Sequence, residues 1–443
     1  MQVTTAAARQ QRYLDIRATT QSLVGSLSAE DCQAQSMPDA SPVKWHLAHT
    51  SWFFETFVLV PFCPGYQPFD TSYRELFNSY YNTVGPQPLR GQRGLLTRPD
   101  LSMVQHYRSH VDAAISAMLN QDMLTDEVTA LVELGLQHEQ QHQELMLTDL
   151  QHLFWCNPLT PAYAPAKPTR IDTPPAPPLH WLAFSGGLHV IGAEPSLANF
   201  AFDNERPHHQ VWLEPFSLSN RLVTNAQYQQ FIDDDGYQRP DLWLSLGWAT
   251  AQQENWQAPL YWHHTDAGWL RFSLHGVQAV EPDAPVCHVS FFEADAFARW
   301  SDARLPLESE WEIAAASTMQ PTSRNLLASG KLRPCASAAD AAPGSLQQMF
   351  GDVWEWTASA YAPYPGFRSA PGAVGEYNGK FMSQQYVLRG GSCATPADHI
   401  RATYRNFFPP QTRWQWSGIR LARDGHASGP ATLPTHDESS THE

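Results

Sequence analysis

The sequence predicts an α+β protein in two parts, a helical bundle followed by a domain of short strands. Three observations carry this reading. Apolar and aromatic residues recur at helical spacing up to about residue 155. A proline-rich stretch then interrupts the chain between 156 and 180. From 181 to about 425 the pattern breaks into short runs rich in Trp and Gly, with turn residues between them. The length of 443 residues exceeds one typical core, which independently favours two domains.

In chain order, the first helix fits roughly residues 8–25. Ser41-Pro42 reads as a helix start, with Ser as N-cap and Pro in the first helical position. The helix that follows carries Trp45, His49, Trp52, Phe53 and Thr56 on one face. A third helix fits about 100–120. A fourth is expected from about Thr125 to Leu153, with an inner stripe of Val128, Leu131, Gly135, His138, His142 and Leu145. Four helices with polar outer faces suggest an antiparallel bundle, an architecture that builds metal sites from inward-facing side chains. The prolines of 156–180 imply an extended, semi-rigid linker. In the second domain, 181–425, two short helices stand out, around Asn225–Asp233 and Phe291–Ala303. The tail 426–443 is polar and expected to be disordered.

The formal net charge is −16 and no block of Lys or Arg occurs, which argues against nucleic acid or an anionic membrane as partner. No stretch approaches the roughly 20 apolar residues of a membrane span. The N-terminus lacks a basic segment followed by an apolar core, so no signal peptide is expected. The six cysteines are scattered, with no C-x-x-C pair. Reduced thiols and a cytoplasmic location are the expectation.

The chemistry points to three histidines. His138 and His142 are four apart in Leu136-Gln-His-Glu-Gln-Gln-His-Gln-Glu-Leu145 and share a helix face. His49, from the earlier helix, would complete a three-imidazole face with open positions for substrates. His46 competes with it but lies about 60° round the helix from the His49 stripe. His138-Glu139-Gln140-Gln141-His142 is also H-E-x-x-H, the pattern of a zinc protease with Glu139 as general base. Imidazoles on an inner face can equally be hydrogen-bonded core residues. Ligand identity alone leaves iron with dioxygen and zinc hydrolysis both open.

Stretches along the second domain resemble the formylglycine-generating-enzyme family, a variant of the C-type-lectin fold. They include Gly186-Gly-Leu-His-Val-Ile-Gly192, Asn204-Glu-Arg-Pro-His208, Gly351-Asp-Val-Trp-Glu-Trp-Thr357, Val387-Leu-Arg-Gly-Gly-Ser392 and Ser417-Gly-Ile-Arg420. The first half resembles DinB-like bundles, which take one metal-binding histidine from an early helix and two from a later one. The fusion, with Lys44-Trp-His-Leu-Ala-His-Thr-Ser-Trp-Phe-Phe-Glu55 and Leu76-Phe-Asn-Ser-Tyr-Tyr-Asn82, resembles the ergothioneine-biosynthesis sulfoxide synthases. That resemblance implies a mononuclear Fe(II) enzyme held by His49, His138 and His142. Such an enzyme uses dioxygen to join a thiol sulfur to carbon 2 of the hercynine imidazole and to oxidise that sulfur to a sulfoxide. The catalytic cysteine pair of the formylglycine-generating enzymes is absent: those positions fall near Thr395 and Ile400, and Cys393 reads as a small packed residue.

The resemblance also implies substrate residues. Gln141, just before the last ligand, would meet the hercynine imidazole. In Tyr404-Arg-Asn-Phe-Phe-Pro-Pro410, Asn406 would meet the betaine carboxylate, and Phe407 would face the trimethylammonium, which ring faces hold. Trp414 and Trp416 read as core. Relatives that use γ-glutamylcysteine carry an acid in this loop, where this chain has Phe407-Phe408. Loss of that charge-assisted contact points to free cysteine as donor, with γ-glutamylcysteine the alternative. Arg90 and Arg93 are candidates for the cysteine carboxylate. Tyr80 or Tyr81 would supply a proton beside the metal.

Overall fold

The computed structural model describes residues 5–121, 124–164, 175–195, 200–317, 324–338 and 344–425, and the backbone of 429–430. Two compact units divide the chain. The first comprises Met1–Tyr163 together with Pro195–Asp203 and Arg368–Lys380, and the second comprises the remainder. The units are therefore not the contiguous ranges expected, because two excursions of the later chain pack with the helices. No described helix is long and apolar enough to cross a membrane.

The first unit holds α1 (Ala6–Val24), α2 (Ala29–Gln33) and α3 (Val43–Phe54). Helix α3 runs through a π-helical turn, Glu55–Leu59, into α4 (Val60–Phe62). Then come α5 (Tyr73–Leu76), α6 (Leu101–Leu119) and α7 (Asp126–Cys156). Thr5, Asp100 and Thr125 cap α1, α6 and α7 by accepting a backbone N–H, and Asp126 and Glu127 favour the start of α7 through the helix dipole. Helix α3 corrects the expected start. Its N-cap is Pro42, and no side chain caps it. Ser41 is committed elsewhere: its amide donates to Asp149 and its hydroxyl accepts from Arg93.

Helix α3 packs on α6 and α7, and α1 packs on the same two. Gly135 sets the closeness of α3 and α7, since a Cβ there would lie 2.5 Å from the Phe54 ring. Glycine costs helix stability, about 1 kcal/mol against alanine, but here it permits the approach. The inner stripe of α7 is rotated slightly from the expectation. Val132 and Leu136 are buried, whereas Leu131 and Leu145 are half-buried.

A charged brace ties the four long helices. Arg17 of α1 donates to Asp112 of α6 at 2.6 Å, to Glu139 of α7 at 2.8 Å and to Ser51 of α3 at 2.8 Å. Arg108 of α6 donates to Glu139 at 3.0 Å and to Thr50 of α3 at 2.9 Å.

The second unit contains two four-stranded sheets and two smaller ones. Strands β1 (His180–Phe184), β4 (Phe216–Ser219), β12 (Ala422–Asp424) and β13 (Gly429–Pro430) form the order β12-β4-β1-β13. Strands β8 (Trp354–Ala360), β9 (Tyr386–Arg389), β10 (Asn406–Phe408) and β11 (Ser417–Gly418) form β10-β9-β8-β11, where only the β11–β8 pair is parallel. A hairpin, β2 (Gly187–Ile191) with β3 (His209–Leu213), and a meander, β5 (Trp262–Thr265), β6 (Gly268–Ser273) and β7 (Gly276–Ala279), complete the strands. Trp311, Trp354, Trp356 and Trp416 are fully buried, around a fully buried Arg420–Glu355 pair. Cys393 is packed in the interior, and all six thiols are free.

Helices α8 (Asn225–Asp233) and α10 (Phe291–Trp300) answer the two expected, each with a capping box, although α10 stops before Ala303. Two more, α9 (Ser245–Gln253) and α11 (Glu308–Ala316), were not expected. The buried face of α11 includes Glu308 and Glu312, which pair with Arg389 and Arg405, so hydrophobic periodicity does not report it. In the tail, 429–430 pair with β1, which corrects the expected disorder for those two residues. Linker residues 165–174 and the rest of the tail lie outside the described residues. The linker's start is anchored by the Tyr163 hydroxyl, which donates to the Leu23 carbonyl at 2.8 Å.

Candidate metal centre and substrate residues

Helix α3 presents His49 and α7 presents His138 and His142, all buried. One ring nitrogen from each lies within 4.8 Å of the other two. His49 Nδ1 donates to the Phe77 carbonyl at 2.7 Å, and His142 Nδ1 meets His46 Nδ1 at 2.7 Å. The Nε2 atoms therefore face inward, and those of His138 and His142 are 3.0 Å apart. Burial, then neighbouring imidazoles, push the pKa values of His49 and His142 well below the ordinary value. Burial brings His138 down to about 3. All three rings are neutral, the state a metal requires. His46 is not one of the converging three.

His49 sits in a stack. Trp45 lies parallel to it at 4.4 Å and Trp52 at 5.2 Å, the turns either side of it on α3. The Arg93 guanidinium covers Trp45 at 3.5 Å from the ring centroid. Arg93 is buried and also donates to Ser41 at 2.9 Å. It has no carboxylate partner among the described residues. Burial, then nearby Arg90, bring its pKa down to about 9. Its loop is held by Lys44, which donates to the carbonyls of Leu96 and Pro99 at 2.7 and 2.8 Å. Arg90 is exposed and donates to the Asp39 carbonyl.

Glu139 is oriented away from the trio. Both its oxygens are taken by the brace, Oε2 by Arg17 and Oε1 by Arg108. Burial raises its pKa, but the two guanidiniums outweigh that and hold it at about 2. A carboxylate so clamped cannot reach or activate a water beside the histidines.

The 76–82 stretch works through its backbone. Phe77 supplies the carbonyl that orients His49. The buried Asn78 side chain donates to the carbonyls of Tyr81, Gly85 and Pro86 and accepts the Tyr81 amide at 3.0 Å, so it shapes the tyrosine loop. Tyr80 and Tyr81 stack at 4.6 Å. Burial raises both phenol pKa values, so both hydroxyls keep their protons. The Tyr81 hydroxyl is buried with Tyr80, Tyr377 and Glu376 in its surroundings.

Sequence reasoning missed Tyr377. It comes from the excursion Arg368–Lys380 and donates its hydroxyl to Gln141 Oε1. Its ring is edge-on to His138 at 5.6 Å, 6.3 Å from Tyr80, and stacked on Phe202 at 5.5 Å. Glu376 accepts from the amides of Asn82 and Thr83 at 3.0 and 2.9 Å, and Lys380 donates to the Tyr80 carbonyl. Nothing in the local sequence flags this loop, since periodicity is silent on irregular segments.

Asn406, Phe407 and Phe408 belong to the second unit, on β10. Asn406 Oδ1 accepts the Phe407 amide at 2.9 Å. Phe407 stacks on Tyr361 at 4.0 Å and is near Phe381 at 6.0 Å, while Phe408 packs against Trp414 at 6.4 Å. Trp416 is core, as expected, and Trp414 is half-buried.

Residues 12–146 match the DinB superfamily, and residues 173–425 match the sulfatase-modifying factor enzyme 1-like domain. A hercynine oxygenase of Mycolicibacterium thermoresistibile is 33% identical over 441 residues, covering 93% of this chain and 94% of its own. The chain belongs to the hercynine oxygenase family. A second hercynine oxygenase, from Mycobacterium tuberculosis, is 35% identical, with 92% of this chain and 96% of the relative covered. A formylglycine-generating enzyme of Streptomyces coelicolor is 26% identical and covers 56% of this chain and 93% of its own. The hercynine oxygenases thus share both halves of this chain, whereas that enzyme matches only part of it.

Proposed function

We propose that this chain is a mononuclear non-haem Fe(II) sulfoxide synthase. It would join the sulfur of cysteine to carbon 2 of the hercynine imidazole with dioxygen, giving hercynylcysteine sulfoxide. The observation that carries the proposal is the trio of neutral imidazoles, His49, His138 and His142, in a chain of this family. Their donor set fits such a metal. The His138 and His142 nitrogens lie 3.0 Å apart, close enough that both would hold one ion together with His49. Bound there, Fe(II) supplies the capacity to hold dioxygen and substrates side by side.

The chain's own residues then divide the work. Gln141, held by the Tyr377 hydroxyl, is the group for the hercynine imidazole. Asn406 and Phe407 are assigned to the betaine carboxylate and trimethylammonium. Arg93 is a buried cation short of a counter-ion, which suits the carboxylate of a small amino-acid donor; Arg90 adds positive charge at the surface. Tyr80 and Tyr81, both protonated, remain the proposed proton donors, joined by Tyr377, whose ring is 5.6 Å from His138. Burial of the trio excludes water that would compete in proton transfer. Small-molecule substrates, no nucleic acid or membrane partner, and a cytoplasmic location with free thiols complete the reading. The zinc-hydrolase alternative loses its base, because Glu139 is locked between two arginines.

The test is anaerobic reconstitution with Fe(II), followed by oxygen uptake with hercynine plus cysteine and the mass of the product. A sulfoxide of cysteine joined to hercynine is expected. Absence of hercynine-dependent oxygen uptake in an iron-loaded enzyme would overturn the proposal.

A further inference from the structure

An imidazole that binds a metal through one nitrogen carries its proton on the other, and that outer nitrogen needs an acceptor to fix the tautomer. For His49 the acceptor is the Phe77 carbonyl, which can only accept. For His142 the neighbour is a second imidazole, His46, at 2.7 Å between the Nδ1 atoms. Two rings in that contact share one proton, and by themselves they do not decide which ring owns it.

Asp149 decides it. Its Oδ2 lies 2.8 Å from the Ser41 amide, an obligate donor, and 3.1 Å from His46 Nε2. The carboxylate oxygen that takes the Ser41 amide also accepts from His46, which therefore presents Nε2–H to it. His142 binding a metal through Nε2 would carry its own proton on Nδ1 and need His46 Nδ1 as its acceptor. A neutral His46 with its proton on Nε2 has only a lone pair on Nδ1. The shared proton therefore sits on His142 Nδ1, and the lone pair of His142 Nε2 points at His138 and His49.

We infer that Asp149 and His46 form a tautomer relay that fixes His142 as a ligand, acting as positioning residues without touching metal or substrate. The inference rests on the metal reading proposed above. The relay spans the same two helices as the ligands. His46 lies on α3 ahead of His49, and Asp149 lies two turns beyond His142 on α7. The three ligands are supported unequally. His49 has a carbonyl and His142 has the relay, whereas His138 Nδ1 has no hydrogen-bond partner among the described residues.

The experiment uses the full chain. Fe(II) affinity is measured anaerobically by competition with a chromogenic chelator, and ¹⁵N resonances of the histidine rings are read in metal-free protein. His138→Ala should abolish tight binding. His46→Ala should weaken it by about 10–100-fold, the scale seen for outer partners of ligating histidines. His46→Gln, whose carbonyl accepts from Nδ1–H, should recover most of that loss, and Asp149→Asn should fall between. The wild-type His142 ring should carry its proton on Nδ1, with that preference lost in His46→Ala. Wild-type affinity in His46→Ala, no rescue by His46→Gln, or a His142 proton on Nε2 would each overturn the relay. If His46→Ala does not fold, Asp149→Asn and His46→Gln decide the matter. If the wild type binds no Fe(II), the metal reading fails, and the ring resonances still judge the tautomer.

Discussion

Glu139 offers the sharpest separation of stability from catalysis. The perturbation is Glu139→Gln, which removes a charge from a fully buried carboxylate facing Arg17 and Arg108. Its pKa is about 2 when folded against an ordinary 4.5. At 1.36 kcal/mol per unit, that difference corresponds to about 3 kcal/mol of stability. Breaking a buried pair by removing one partner costs on the order of 3–5 kcal/mol, so the two routes agree. For a bundle of this size the expected fall in Tm is roughly 6–12 °C. The pH dependence has a definite sign. The folded pKa lies below the unfolded one, so the stabilisation is complete above 4.5 and is lost as pH falls through about 2. The gap between wild type and variant should therefore narrow on acidification through that window. Urea denaturation followed by helix signal gives the stability, and sulfoxide formation by folded protein gives kcat/KM, expected to stay within a few-fold. A loss above about a hundredfold at unchanged stability, the scale of a missing acid–base catalyst, would refute the structural role and revive the hydrolase.

His49→Ala, His138→Ala and His142→Ala should each abolish tight Fe(II) binding in a chelator competition, because two imidazoles alone make a poor site. Cysteine should exceed γ-glutamylcysteine in kcat/KM by at least about tenfold, since an ammonium left unpaired costs on the order of 1–3 kcal/mol or more; equal values for the two donors would contradict the apolar Phe407-Phe408 assignment. Arg93→Met should raise KM for cysteine by about 10–100-fold, the range of one lost hydrogen bond to a charged group, with little change in KM for hercynine. Among Tyr80→Phe, Tyr81→Phe and Tyr377→Phe, the variant lacking the proton donor should divert oxygen into the thiol alone, visible as a change in product mass.

The parts of the site that were legible in the sequence share one property: they sit at regular spacing on long helices. The i,i+4 pair His138 and His142, and His49 on the stripe of Trp45 and Trp52, follow from helical period alone. The brace was not legible, because Arg17, Arg108, Asp112 and Glu139 come from three helices whose rotation only packing fixes. The exclusion of His46 followed from its angle, but its contact with Asp149 did not, since that pairing depends on how α3 packs along α7. Tyr377 was invisible for a different reason. It lies in an irregular segment of the sequence that reads as the second domain, and only long-range contact brings it to Gln141. The buried acidic face of α11 likewise defeats a reading based on apolar periodicity.

That long-range contact has a consequence in time as well as in space. Gln141 and Tyr377 are 236 residues apart in the chain. At synthesis rates of about 5–20 residues per second, the histidines leave the ribosome roughly 10–50 s before the tyrosine. During that interval the nascent bundle can gather its three imidazoles while Gln141 still lacks its phenol. A bundle released at the linker would remain in that unfinished condition permanently. A proteolytic nick between the two halves need not have that effect, provided the excursion has already docked. Order of synthesis thus delays completion of the first unit until Arg368–Lys380 has emerged, although its helices are the first to be made.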